Sequence, residues 1–179
     1  MRAVALVAHP DDCVIFAWPF IEAHPNFKWT IIYLTYTFSD PRAREVRAYW
    51  NKRGIDVSFL GMRDDWQYVK NEELGFDPEI ARQDIINAAS KYDLILTHFE
   101  DGDYGHIHHK FVNTVANKID KPKVYFASTF NYNTECVVAN PVATEELPLH
   151  REVIEGFRDR NIGRYIVTPE AELIIKEKQ

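Results

Sequence analysis

Five short runs of this 179-residue chain, at 2–8, 27–36, 57–60, 93–98 and 123–128, are apolar or rich in β-branched and aromatic residues. Such runs read as β-strands. Segments with helical signals lie between them. Strands separated by helices pair in parallel through crossovers. The alternation therefore predicts an α/β fold, a three-layer sandwich with a mostly parallel, Rossmann-like sheet. The first run, Ala3-Val4-Ala5-Leu6-Val7-Ala8, has no polar face and reads as a strand buried on both sides.

The helical segments carry recognisable ends. Asp40-Pro41 and Asp77-Pro78 each place a capping carboxylate before a proline in the first turn. The first predicts a helix to about Arg53, stopped by Gly54, with Ala43, Val46 and Trp50 inward. The second predicts a helix to about Ser90, with Ile80, Ile85 and Ala88 inward. A helix over 12–23 is expected to be capped by Asp11 or Asp12, with Pro19 ending or bending it. A helix over 105–119 is expected to pack through Ile107, Phe111, Val115 and Ile119. Residues 61–76 read as a charged, aromatic loop. Further on, 131–147 is polar, 149–160 reads as an amphipathic helix, and 164–178 as a short strand and a final helical turn. No repeat or linker divides the chain, so 1–179 is read as a single domain.

Two clusters of ionisable residues interrupt this pattern. Val7-Ala8-His9-Pro10-Asp11-Asp12 lies at the turn from the first strand into the first helix, where open α/β sheets hold ligands. Pro10 keeps His9 extended. An Asp in a first helical turn is favoured in its ionised form. Tyr104-Gly105-His106-Ile107-His108-His109 follows the fourth strand. His106 and His109, three apart, share one helix face, away from the apolar stripe. His108 points elsewhere, which suits a surface or orienting role better than ligation. Both clusters belong at the carboxyl edge of one sheet, so they are expected to meet. A carboxylate and two imidazoles make a shell for a divalent metal with an open position for water. A spare carboxylate can take that water's proton, and a spare His can protonate a leaving amine. The ordinary alternative is a pair of capping aspartates beside a strand-end His, and a solvated His-rich turn.

Net charge is −6 and there are no basic runs, which argues against nucleic acid or an acidic membrane surface as partner. No stretch reaches the roughly 18 apolar residues of a membrane span. Asp11 and Asp12 break the apolar start before it forms a signal peptide. Cys13 and Cys136 make no disulfide framework, which points to a reducing, cytoplasmic setting. No Gly-rich phosphate loop follows the first strand, against a nucleotide-binding protein.

His9-Pro10-Asp11-Asp12 with Tyr104-Gly105-His106-x-x-His109 resembles the LmbE-like/PIG-L zinc-dependent N-deacetylases. Arg42-x-x-Glu45, Phe59-Leu60-Gly61 and Thr97-His98 fit the same pattern, over about residues 1–115. The resemblance implies a hydrolase that removes an N-acetyl (N-acyl) group from a small molecule, an amino-sugar conjugate of the N-acetylglucosamine kind. It implies His9, Asp12 and His109 as zinc ligands; the same donor types accept other divalent ions such as Fe2+. It implies Asp11 as general base. It implies His106 as the protonated group that stabilises the oxyanion or donates to the amine. Tyr104 would hydrogen-bond the tetrahedral intermediate, and Arg42 would contact substrate. A homo-oligomer is compatible with this.

Two positions depart from the family pattern. Cys13, expected to be a small buried helix residue, stands where Glu is usual. His108 stands where an Asp that can orient the acid is usual. Asp101 or Asp103 is expected to take over that role. His98 reads as a support for the site or as structural. Trp66 and Tyr68 suit sugar stacking or packing equally. The departures also support a second function: a partly degenerate module that keeps the metal but only binds its ligand.

Overall fold

The computed structural model describes residues 1–127, 144–157 and 164–178. Its six strands are β1 (Arg2–Val7), β2 (Lys28–Thr35), β3 (Asp56–Met62), β4 (Leu94–His98), β5 (Lys123–Ala127) and β6 (Arg164–Val167). They form one sheet in the order β3-β2-β1-β4-β5-β6. All pairs are parallel except β5 with β6. The helices are α1 (Trp18–Ala23), α2 (Pro41–Asn51), α3 (Trp66–Val69), α4 (Pro78–Ala89), α5 (Gly102–Gly105), α6 (Ile107–Ala116), α7 (Arg151–Phe157) and α8 (Pro169–Lys178). The chain builds the sheet outward from β1 to β3, then returns to lay β4 against the other side of β1. The carboxyl ends of β1 and β4 are therefore the topological switch point, where such sheets form a ligand crevice.

The strictly apolar β1 is explained by its two partners. Ala3, Ala5 and Val7 join a core with Phe16, Phe20, Val46, Tyr49 and Trp50. Val4, Leu6 and Ala8 join the opposite core with Ala81, Ile85, Val112, Val115 and Ala116. Burying each such branched side chain contributes about 1.5–3 kcal/mol. The three-layer expectation holds. Asp40 and Asp77 cap α2 and α4 as expected, each accepting from two first-turn amides. Ala43, Val46 and Trp50 are wholly buried.

Several expectations are corrected. The segment after β1 opens as a π-helical turn, Cys13–Ala17, before α1, and Pro19 lies in the first turn of α1 rather than ending it. Asp12 does not cap this turn; its carboxylate turns back and accepts from the His9 amide at 2.7 Å. Ile80 is 57% exposed, and the inward stripe of α4 is Ala81, Ile85 and Ala89. The i, i+4, i+8 row is set by where α4 crosses the sheet, which periodicity alone left ambiguous by one residue. The helix expected over 105–119 starts at Ile107, with His106 as its extended N-cap. Its buried stripe is His108, His109, Val112, Val115 and Ala116, so His109 faces inward with the apolar residues rather than away from them. The loop at 61–76 contains α3, and the final turn is the ten-residue α8. Cys13 is buried as expected. Ser128, Cys136, the polar segment up to residue 143 and the end of the helix expected to 160 lie outside the described residues.

The segment before α7 is tied to α2. Glu45 accepts from the Leu149 amide and from His150 Nδ1, while Glu146 pairs with Lys52 and Arg53. None of the helices among the described residues is long and apolar enough to cross a membrane.

Chemical denaturation checks the assignment of the α4 stripe. Ile85→Ala is expected to cost about 2–5 kcal/mol. Ile80→Ala should stay within about 0.5 kcal/mol of the parent. Equal costs would contradict the packing described.

Candidate metal centre

The end of β1 is fixed by its backbone. The Ala8 carbonyl accepts from both the amide and the hydroxyl of Thr35, at 3.0 and 2.7 Å. The Ala8 amide donates to His98 Nε2 at 3.0 Å, from the end of β4. The next residue, His9, therefore leaves the strand in one direction. His9 is 6% and Asp12 2% exposed, while His98, His108 and His109 are fully buried. Burial of so many polar groups is tolerated only when each is paired.

Much of that pairing passes through Asp103. Its Oδ2 accepts from His98 Nδ1 at 2.5 Å and from His109 Nδ1 at 2.8 Å. The two rings stack with centroids 3.9 Å apart. Asp103 reaches them from a left-handed backbone, φ 67°, after Gly102 at φ 70°. A non-Gly residue rarely adopts that conformation, and such strain marks functional sites. Asp101, also named from sequence, accepts from the Asp103 amide instead and helps to shape this turn.

Partners assign the ring protons. With Nδ1–H on Asp103, His109 keeps a lone pair on Nε2. Burial opposes a charge on His109, but Asp12 above all raises its pKa. Burial likewise opposes charge on Asp12, yet His109, His9 and His98 hold its carboxyl well below the usual range. Against its own burial, Asp103 and then Asp12 favour the charged form of His98. The Ala8 amide proton, however, already fills the gap a second ring proton would need. His98 is therefore neutral, with its proton on Nδ1.

Donor groups of three residues come together here. His9 Nδ1 lies 3.1 Å from His109 Nε2 and 3.4 Å from Asp12 Oδ2, and His109 Nε2 lies 3.3 Å from Asp12 Oδ1. A tetrahedral shell with bonds of 2.0–2.2 Å has edges of about 3.3–3.6 Å. Two imidazole nitrogens and a carboxylate at this spacing fit a divalent cation in both geometry and chemistry. His106 also offers a nitrogen to the group formed with His9 and His109, and Asp64 and His108 make a further group with His9.

The other residues named from sequence surround this point. Asp11 is paired through Oδ2 with Arg42 Nη2 at 3.3 Å. Arg42 Nε is buried with no partner among the described residues. His106 caps α6 by accepting the His108 amide on Nδ1 at 3.2 Å, which leaves the proton on Nε2. Burial, then His9, His109 and His108, lower its pKa to about 3, and with the amide on Nδ1 this favours the neutral ring over the imidazolium. Its helical spacing from His109 was not the reason they meet: the rings stack 4.8 Å apart with His106 outside the helix. Tyr104, half-exposed, lies edge-on to His109 at 5.2 Å and to His106 at 5.9 Å. Cys13 adds no ligand atom to these groups.

Sequence reasoning missed Asp64 and Tyr36. The Tyr36 hydroxyl donates to Asp64 Oδ2 at 3.0 Å, from a left-handed backbone with φ 66°. Both follow strand ends, β2 and β3, on the same sheet edge. That position was the available signal. Trp66 is 74% exposed, so it is not packing in the core.

Residues 4–119 match the PIG-L family, described as GlcNAc-PI de-N-acetylase. No curated protein matches the sequence significantly. The structure of the conserved protein TT1542 from Thermus thermophilus is similar with a TM-score of 0.62 at 11% identity, over 94% of each chain. N,N'-diacetylchitobiose deacetylase from Pyrococcus horikoshii is similar with a TM-score of 0.53 at 16% identity, over 88% of this chain and 69% of its own. GalB, the 4-carboxy-2-hydroxymuconate hydratase from Pseudomonas putida KT2440, gives 0.46 at 16% identity over 70% of this chain, which spans 65% of GalB's length. At these identities the first two likenesses show the fold. The family match covers well over half of the residues, and the chain belongs to the PIG-L (LmbE-like) family.

Proposed function

We propose that this protein is a metal-dependent amide hydrolase that removes an N-acyl group, acetyl foremost, from a small amino-sugar-containing molecule. One observation carries the reading: His9 Nδ1 and His109 Nε2 lie 3.1 Å apart, and each lies within 3.4 Å of one of the two Asp12 carboxylate oxygens, with Asp11 and His106 beside them. The substrate class follows the family and the deacetylase among its structural neighbours. Zinc suits the donors, though imidazole and carboxylate also accept Fe2+.

His9, Asp12 and His109 would hold the ion. When bound, it supplies Lewis acidity to the amide carbonyl and acidifies water. Asp11 takes the proton of the attacking water and delivers it to the departing nitrogen. Arg42, expected to touch substrate, is committed through one nitrogen to Asp11, which it keeps oriented. His106 acts as a neutral donor: with Nδ1 held by an amide, its Nε2–H is left for the carbonyl oxygen as negative charge develops there. Tyr104 offers a second donor from the rim. The exposed Trp66 is available to stack on a sugar ring.

Acetate release from N-acetylglucosamine-type substrates, with metal analysis of the same samples, tests this reading. One ion per chain and release abolished by a chelator are expected. Asp11→Asn should lose turnover by about 10²–10⁴-fold while retaining metal. His109→Ala should lose the metal itself. Metal without release across a broad panel would instead favour the ligand-capturing module. No metal after zinc is supplied would overturn the site.

A further inference from the structure

His108 takes no part in the reaction set out above, yet it is wholly buried. Both of its ring nitrogens have partners. Nε2 lies 2.9 Å from the Leu74 carbonyl. A carbonyl only accepts, so this nitrogen carries the ring proton. Nδ1 is left as an acceptor, 3.0 Å from His9 Nε2. His9 must then donate through Nε2, which leaves a lone pair on its Nδ1. His109 is in the matching state from the other side, because its Nδ1 proton goes to Asp103. Two nitrogen lone pairs therefore face each other at 3.1 Å, beside the Asp12 carboxylate. At that distance they repel unless a cation lies between them.

We propose that His108 is a positioning residue for the metal centre: anchored by the Leu74 carbonyl, it fixes His9 as the Nε2–H tautomer and aims His9 Nδ1 at Asp12 and His109. The proposal rests on the metal reading above and adds to it. His108 does for His9 what Asp103 does for His109. Such outer hydrogen bonds set a ligand's tautomer and orientation. The two sides differ in kind: one orienter is a carboxylate, the other a backbone carbonyl relayed through an imidazole.

The surroundings of His108 are built for this. Phe76 lies against its ring, with centroids 5.2 Å apart. Gly75, between Leu74 and Phe76, has φ +75°, and a Cβ there would lie 3.2 Å from the Tyr68 side chain. The direction of the Leu74 carbonyl is thus set by a turn only glycine fits easily. Asp64 Oδ1 is nearby, but at 3.8 Å from His108 Nδ1 and 3.9 Å from His9 Nε2 it is beyond hydrogen-bond reach. The direct His9–His108 contact is the one made.

The test compares zinc affinity, by competition with a chromophoric chelator, for the full chain, His108→Leu and His108→Asn. The Asn oxygen occupies the place of His Nδ1 and can accept from His9; Leu cannot. Zinc should bind His108→Leu about 10–100-fold more weakly, and His108→Asn within about threefold of the parent. Equal affinity of the parent and His108→Leu would overturn the proposal, as would equally weak binding by both variants. Imidazole nitrogen NMR of the unaltered zinc-loaded protein decides the point if a variant fails to fold. Protons on Nε2 of both His9 and His108 support the proposal. A proton on Nδ1 of His108, or two zinc ions per chain with His9 Nε2 as a ligand, overturns it. Absence of zinc binding by the parent would sink the metal reading itself. Binding by the parent with His108→Leu unaffected would sink only the role of His108.

Discussion

One buried carboxylate, Asp103, holds the centre together. It accepts from His109 directly, and that fixes which nitrogen of His109 turns inward. It also accepts from His98, whose other nitrogen receives the Ala8 amide at the end of β1. The direction in which His9 leaves the sheet therefore depends on the same oxygen. A carboxylate in that position is costly to bury unless its partners are close and well aligned. Here they are supplied by a strand end and a helix start, and a left-handed backbone at Asp103 brings the carboxylate between them. The strain at this residue is offset by the hydrogen bonds it makes possible.

The fold makes this arrangement available through its topology. β1 is central, apolar on both faces and paired in parallel on both sides. The chain crosses from one half of the sheet to the other between β3 and β4, which opens the crevice over β1 and β4. Every residue of the centre lies just beyond a strand end: His9 to Asp12 after β1, Tyr36 after β2, Asp64 after β3, His98 to His109 at and after β4. The large hydrophobic layers beneath keep these ends in place. The polar cluster adds little net stability of its own; what it gains in pairing it loses largely in desolvation. Its contribution is to specify orientation.

Much of this was legible in the sequence. The Asp-Pro starts of α2 and α4, the stop at Gly54 and the unbroken apolar β1 are local signals, each with a local cause. The pairing of the two His-containing clusters followed from alternation of strand and helix alone. What was not legible depended on how elements cross. The inward row of α4 is shifted by one residue from Ile80 to Ala81. His109 lies on the apolar stripe of α6, because the centre sits within the core edge and not above it. Asp11 or Asp12 read as a helix cap, since Asp before a helix usually is one; the Asp12 carboxylate instead turns back to the His9 amide, with three imidazoles around it.

The sequence by itself determined the layer order of the fold, the edge on which the chemistry lies, and the residue types brought to it, because these follow from periodicity and from the short reach of turns. Only the tertiary structure decided the proton on each ring. His9, His98, His106, His108 and His109 are the same side chain, and nothing local distinguishes them. Their roles are set by what each second nitrogen meets: a carboxylate from Asp103, an amide from Ala8 or His108, a carbonyl from Leu74. Two of those partners, Ala8 and Leu74, lie far from their His in the chain, and even for the nearer ones hydrogen-bond geometry, not spacing, selects among them.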